Sequence, residues 1–402
     1  MNTTESWWSA SSKPLSPPIH PIRRHTVIVR ALRVLLLVAL MVPATRAASA
    51  RPLAGSDVVF DFRPASDVLT MWPARGKGSI EAPRRIRASE RQAALKLGQS
   101  PANRALRSFI AAENRCILTD EDFARAITHP DSTLCGLSLQ PAYADRDKLR
   151  ALVTALKGRA NSLRTRIAAE AGRYLPPAEE WRPVRFWFVV SSRWSFDAVT
   201  LSPDQAGTVE PIVLINLTEV IGYGATTDER VATLAHVMSH EAFHSALRQR
   251  EPALKGWAKY PLSARSPLDY IARIMADEGV AHWIDWRERP GADSIFTSRA
   301  PGSREVKAFN QLAAACRKLR DRNADMGGRT EMLQMASNGM LWSKYGAISG
   351  MFAAYRIESR LGLDSLRTAV SGGPGEFLKM YGRVAAADTL LRRVPAALGG
   401  GG

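Results

Sequence analysis

TTDERVATLAHVMSHEAFHSALRQREP, residues 226–252, is the stretch on which the fold reading turns. Thr226-x-x-Glu229 has the form of a capping box, in which the Thr hydroxyl and the Glu carboxylate satisfy each other's free backbone N–H groups at a helix start. Val231, Leu234, Met238 and Leu247 supply apolar faces at helical spacing. Arg248 and Arg250 stand in the last turn, where cations suit the helix dipole. Pro252 closes the element. The segment is therefore expected to be one long helix. Within it His240-Glu241-x-x-His244 puts two imidazoles at i and i+4, one above the other on the same face. Two such rings can grip one zinc ion while the Glu between them reaches a water at the metal. The histidine distribution agrees. Of seven in the chain, four fall between positions 236 and 282.

Catalytic zinc needs a third protein ligand and an open position. Working downstream, Ser266-Pro267-x-Asp269 marks a second helix start. Ile271, Ile274, Met275 and Ala281 define its buried face, and Glu278 lies on that face. A carboxylate there is costly unless paired or coordinated, so Glu278 is the expected third ligand. Asp277 is one residue off the face. His236, one turn before His240, either hydrogen-bonds near the metal or packs.

The pair His240-Glu241-x-x-His244 and Glu278-Gly279-Val280-Ala281 resembles the gluzincin branch of zinc peptidases. More closely it is similar to a bacterial family of zinc-dependent peptidases whose second motif reads E-G-[IV]-A. The resemblance extends to Tyr345–Met351 and to Gly375–Tyr381. It implies Glu278 as third ligand and Glu241 as general base towards a zinc-activated water. Where that family often has Asp, four residues after the Glu, this chain has His282. His282 is then a residue that orients a ligand, touches substrate or itself ligates. Tyr345, His282 and Tyr270 are the candidate oxyanion donors.

Upstream, Val184, Phe186, Phe188 and Val190 alternate as in a strand, and residues 211–217 form a second short apolar run. These strands precede the motif helix and are candidates for pairing with an extended peptide. Asn216-Leu217-Thr218 is a glycosylation triplet lying inside the second run. Further back, Ser100-Pro101 opens a helix through Leu106, Phe109 and Ile110. Leu149, Leu152, Val153, Leu156, Leu163 and Ile167 stripe a longer helix over 145–174. The expected fold is α+β, mostly helical and zincin-like, with a small sheet beside the active-site helix. Residues 51–180 form an N-terminal helical region, separate from or continuous with a catalytic region over 181–396. Residues 397–402 are a flexible Gly tail.

Residues 1–50 read as an export signal: Arg23, Arg24, Arg30 and Arg33, then an apolar run from Val34 to Val42, then Ala48-Ser49-Ala50. The expected location is periplasmic or secreted, with an uncleaved membrane tether as the alternative. Cys116 and Cys135 are placed to pair in an oxidising compartment, and Cys316 falls on an apolar helical stripe. The net charge is +17 over 402 residues, and no basic run is interleaved with aromatics as single-strand binders require. A nucleic-acid partner is not expected. Zinc is the expected cofactor and a peptide or protein the expected substrate. The alternative is a zinc-binding scaffold of the same fold without turnover.

Overall fold

The computed structural model describes residues 50–73, 86–193, 196–261, 266–298, 300, 303–321 and 325–386. The expected leader up to residue 49 and the Gly tail lie outside them. The described chain falls within one compact unit, Ser49–Gly402. It is mostly helical, and no helix among the described residues is long and apolar enough to cross a membrane.

Among the described residues a four-stranded sheet is built from β1 (Val58–Asp61), β2 (Val184–Val189), β3 (Ala198–Leu201) and β4 (Ile212–Asn216). The spatial order is β1-β2-β4-β3. β1 and β4 flank β2 in parallel, with Phe60 opposite Phe186 and Phe186 opposite Val213. β3 closes the sheet antiparallel to β4, with Thr200 opposite Val213. All five residues of β4 are buried, as expected for a strand covered on both faces. Phe60, Phe62, Phe186 and Phe188 interlock edge-to-face and stacked across β1 and β2.

This arrangement corrects one expectation. The two strands legible in the sequence, β2 and β4, are interior and paired on both sides, so neither offers an edge to a peptide. The sheet ends at β1 and β3, each only four residues long. β1 also joins the N-terminal region to the sheet, pairing with a strand more than 120 residues away.

The motif helix, α7 (Thr227–Arg250), follows α1 (Arg63–Met71), α2 (Ala88–Gly98), α3 (Pro101–Asn114), α4 (Asp120–Thr128), α5 (Arg146–Gly158) and α6 (Ala160–Gly172). The expected helix over 145–174 is thus two, broken at Arg159 just after Gly158. At the start of α7 the Thr226 hydroxyl accepts from Glu229 N, and Glu229 Oε2 accepts from the backbone N–H groups of Thr226 and Ala225. α8 (Pro267–Trp286) starts on Ser266, whose hydroxyl accepts from Asp269 N. α9 (Arg304–Arg320), α10 (Tyr345–Leu361) and α11 (Leu363–Ala385) follow. α11 is interrupted at Gly373, whose φ of 79° and neighbour Pro374 break the helical run.

α8 is the hub. It packs on α7 and still more extensively on α10. The second contact is backbone to backbone. A Cβ on Gly279 would meet the Gly350 Cα at 2.4 Å, and one on Gly350 would meet the Met275 carbonyl at 2.1 Å. The Gly in Glu278-Gly279-Val280-Ala281 therefore has a packing reason. Only a residue without a side chain lets α10 come close enough to seat α8. Cys316 is buried on α9, and Cys116 and Cys135 are joined by a disulfide.

Candidate metal centre

α7 presents His240, Glu241 and His244, and α8 presents Asp277, Glu278 and His282, across the α7–α8 interface. His240 Nε2 and His244 Nε2 are 3.1 Å apart. Glu278 Oε2 lies 3.7 Å from the first and 3.5 Å from the second. Four ligands around zinc at about 2.0–2.1 Å, arranged tetrahedrally, have edges of about 3.3–3.4 Å. The three observed edges bracket that value, so the donor set fits a zinc ion in size as well as in chemistry.

The candidate donor side chains are held from behind. His244 Nδ1 lies 2.7 Å from Asp277 Oδ1, with both groups buried. A carboxylate on Nδ1 fixes the tautomer that leaves Nε2 free for a metal. Asp277 was legible only as the neighbour of Glu278, one residue off the apolar face. α8 is buried nearly all round, so that other face is interior too. The Asp277 side chain is 6% exposed. Glu278 is the more open of the two at 26%. A second brace is Ser239, which donates to Glu170 Oε2 on α6 at 2.6 Å.

Glu241 is held by an element that sequence reasoning missed. Thr200 Oγ1, on β3, donates to Glu241 Oε2 at 2.6 Å. Arg248 Nη1 donates to the Thr200 carbonyl at 3.3 Å. Side chain and backbone of one residue thus tie the end strand to the motif helix. Behind it, Asn216 clamps the loop that leads to β3. Its Oδ1 accepts from Ser191 N and Thr218 N, and its Nδ2 donates to Ser192 O and Phe196 O.

The electrostatics follow from burial and these pairings. Burial raises the Glu241 carboxyl above its ordinary value, opposed by His244 and by the Thr200 hydrogen bond. Burial works against charge on His244 and Glu278, but their mutual attraction and Asp277 win. His244 is pushed well above the usual imidazole range, and Glu278 well below the usual carboxylate range. Burial, then His282 and His244, push His240 well below the usual imidazole range.

His240, Glu278 and His282 can each offer a ligand atom within 4.8 Å of the others. His236 is not drawn in. Both its ring nitrogens lie 3.3–3.4 Å from Arg166 Nη2. Nor is Tyr345 placed as an oxyanion donor, because its hydroxyl donates to the Met332 carbonyl at 2.8 Å. Tyr270 sits in the first turn of α8, two turns ahead of Glu278. A cavity of about 680 Å³ opens beside β1 and shares no residue with this cluster. A metal centre is defined by its donor atoms, and those are in the α7–α8 cluster.

Residues 94–389 match the model of a family described as "Putative zinc dependent peptidase (DUF5700)". The chain belongs to this family. The matched stretch carries α7, α8, α10 and β3, and so every residue of the cluster, while β1 lies outside it. Zinc is the cofactor that the DUF5700 description names, and the His240–Glu278–His282 group can take it. No curated protein and no solved structure matches the chain.

Proposed function

We propose that this chain is an exported zinc metallopeptidase of gluzincin type, in which His240, His244 and Glu278 hold the ion and Glu241 is the general base. The observation that carries the reading is the triangle of ligand atoms, 3.1, 3.5 and 3.7 Å on its edges, with a carboxylate on the residue between the two rings. A bound zinc ion supplies Lewis acidity and brings the pKa of a water it holds towards neutrality.

The protein's own groups do the rest. Asp277 orients His244. Thr200 fixes one oxygen of Glu241 and leaves the other to accept a proton from the attacking water and return it to the leaving amine. β3 ends the sheet beside Glu241 and so borders the cluster. The bridged Cys116–Cys135 pair suits the oxidising compartment that an N-terminal export signal implies.

The test is metal analysis together with Glu241→Gln. Purified wild type and variant should both hold zinc, while hydrolysis of a broad peptide library falls by about 10²–10⁴-fold in the variant. Equal hydrolysis by both, or a wild type without zinc, rules the reading out. Zinc in both with turnover in neither favours the scaffold alternative.

A further inference from the structure

His282 is the member of the cluster that hydrogen bonding leaves open. His244 has Asp277, and Glu241 has Thr200. Both ring nitrogens of His282 are buried without a hydrogen-bond partner. A buried polar atom left without a partner is costly, and packing alone gives no return for two on one ring.

Its position supplies the missing partner. The His282 and His240 ring centroids are 4.6 Å apart at an interplanar angle of 63°. The His240 and His244 rings stand in nearly the same relation, 4.8 Å and 73°. Two imidazoles on one zinc ion, with bonds of about 2.0–2.1 Å and ligand angles of about 90–109°, have centroids about 4.5–5.2 Å apart. Both ring pairs meet that condition. His282 can also bring a nitrogen within 4.8 Å of the ligand atoms of His240 and Glu278. Along α8 it follows Glu278 by four residues, as His244 follows His240 along α7. Each helix therefore turns two donors, one above the other, into the same α7–α8 interface.

We propose that His282 is itself a ligand of the zinc ion, so that this chain holds the metal with three imidazoles and one carboxylate. The proposal rests on the zinc site of the preceding section. It gives the centre one protein ligand more than the three of a hydrolytic site. Such a set grips the ion harder than three ligands do. It admits a reactant only by expanding the coordination shell or by letting one arm go.

X-ray absorption at the zinc edge of the purified wild-type chain counts the imidazoles on the metal. Three are expected, and two overturn the proposal. The companion measurement is zinc affinity of His282→Ala by competition with a chelator, together with the visible spectrum of the cobalt(II)-substituted chain. Affinity should fall tenfold or more, and the cobalt bands should change in intensity as the ligand count changes. A fall of less than tenfold with an unchanged cobalt spectrum overturns the proposal. If His282→Ala does not fold, the imidazole count on the wild type decides alone. A wild-type chain that takes up no zinc, like a His240→Ala control, defeats the underlying site rather than the role of His282.

Discussion

Gly350→Ala sets two physical effects against each other, and the structure says which wins. Both Gly350 and Gly382 lie in helices, where Ala is better than Gly by about 1 kcal/mol. On propensity alone both substitutions stabilise. A Cβ at Gly382 would meet nothing within 4 Å, so propensity decides there. A Cβ at Gly350 would lie 2.1 Å from the Met275 carbonyl oxygen, where contacts under 3.0 Å essentially do not occur. α8 and α10 would have to part by about 1 Å, against an overpacking cost of about 1–3 kcal/mol or more. We expect Gly350→Ala to destabilise by about 2 kcal/mol. At about 1.4 °C per kcal/mol for a unit of roughly 350 residues, Tm then drops by about 3 °C. Gly382→Ala should raise Tm by about 1 °C. Met275 lies three residues before Glu278, so zinc affinity should fall in the Gly350 variant and stay unchanged in the Gly382 variant. Thermal unfolding by circular dichroism and chelator competition read the two quantities. A Gly350→Ala chain as stable as wild type, with its zinc affinity intact, would refute the backbone contact as the device that seats α8.

Asp277→Asn keeps an acceptor for His244 but removes the charge. Zinc affinity should fall about 10–100-fold, and an unchanged affinity by chelator competition would remove Asp277 from the site. Thr200→Val deletes the hydroxyl on Glu241. A hydrogen bond to a charged group is worth about 1.5–3 kcal/mol, so kcat should fall about 10–100-fold while bound zinc, measured by metal analysis, stays at the wild-type level. Asp285 tests linkage. Burial, opposed by Arg289, raises its carboxyl from 3.8 to about 6. Between those values the folded chain keeps a proton that the unfolded chain has released, so the fold loses stability as pH rises through that window. At about 1.4 kcal/mol per pH unit the loss is about 3 kcal/mol. Urea unfolding of Asp285→Asn, compared with wild type at pH 4 and pH 7, should show the variant gaining by that amount, and a pH-independent difference would contradict it.

The parts of the fold that were legible are those written in local sequence. Thr226-x-x-Glu229 and Ser266-Pro267 announce their helices because capping is satisfied within four residues. The i, i+4 histidines need only the helix to meet. What was missed depends on partners far along the chain. β1 and β3 are four residues long, and β1 becomes a strand only because β2 lies beside it. Thr200 reaches Glu241 through that same tertiary placement. Asp277 was passed over because a polar residue off the apolar stripe is usually solvated. Here α8 is enclosed by α7 and α10 together, so even its second face is interior. The break at Arg159 did have a local signal in Gly158, outweighed in the reading by the apolar stripe that runs past it.

Asn216 carries a practical consequence. As part of Asn216-Leu217-Thr218 it satisfies the N-glycosylation rule, yet its amide is wholly engaged in the folded chain by the four bonds to Ser191, Ser192, Phe196 and Thr218. A sugar can be attached there only before the loop closes. Once attached, it would displace the clamp that sets the end strand, and with it the hydroxyl on Glu241. A host that glycosylates chains during secretion is therefore a poor choice for producing this protein. An Asn216→Gln change made to avoid the problem would lengthen a side chain that is wholly buried.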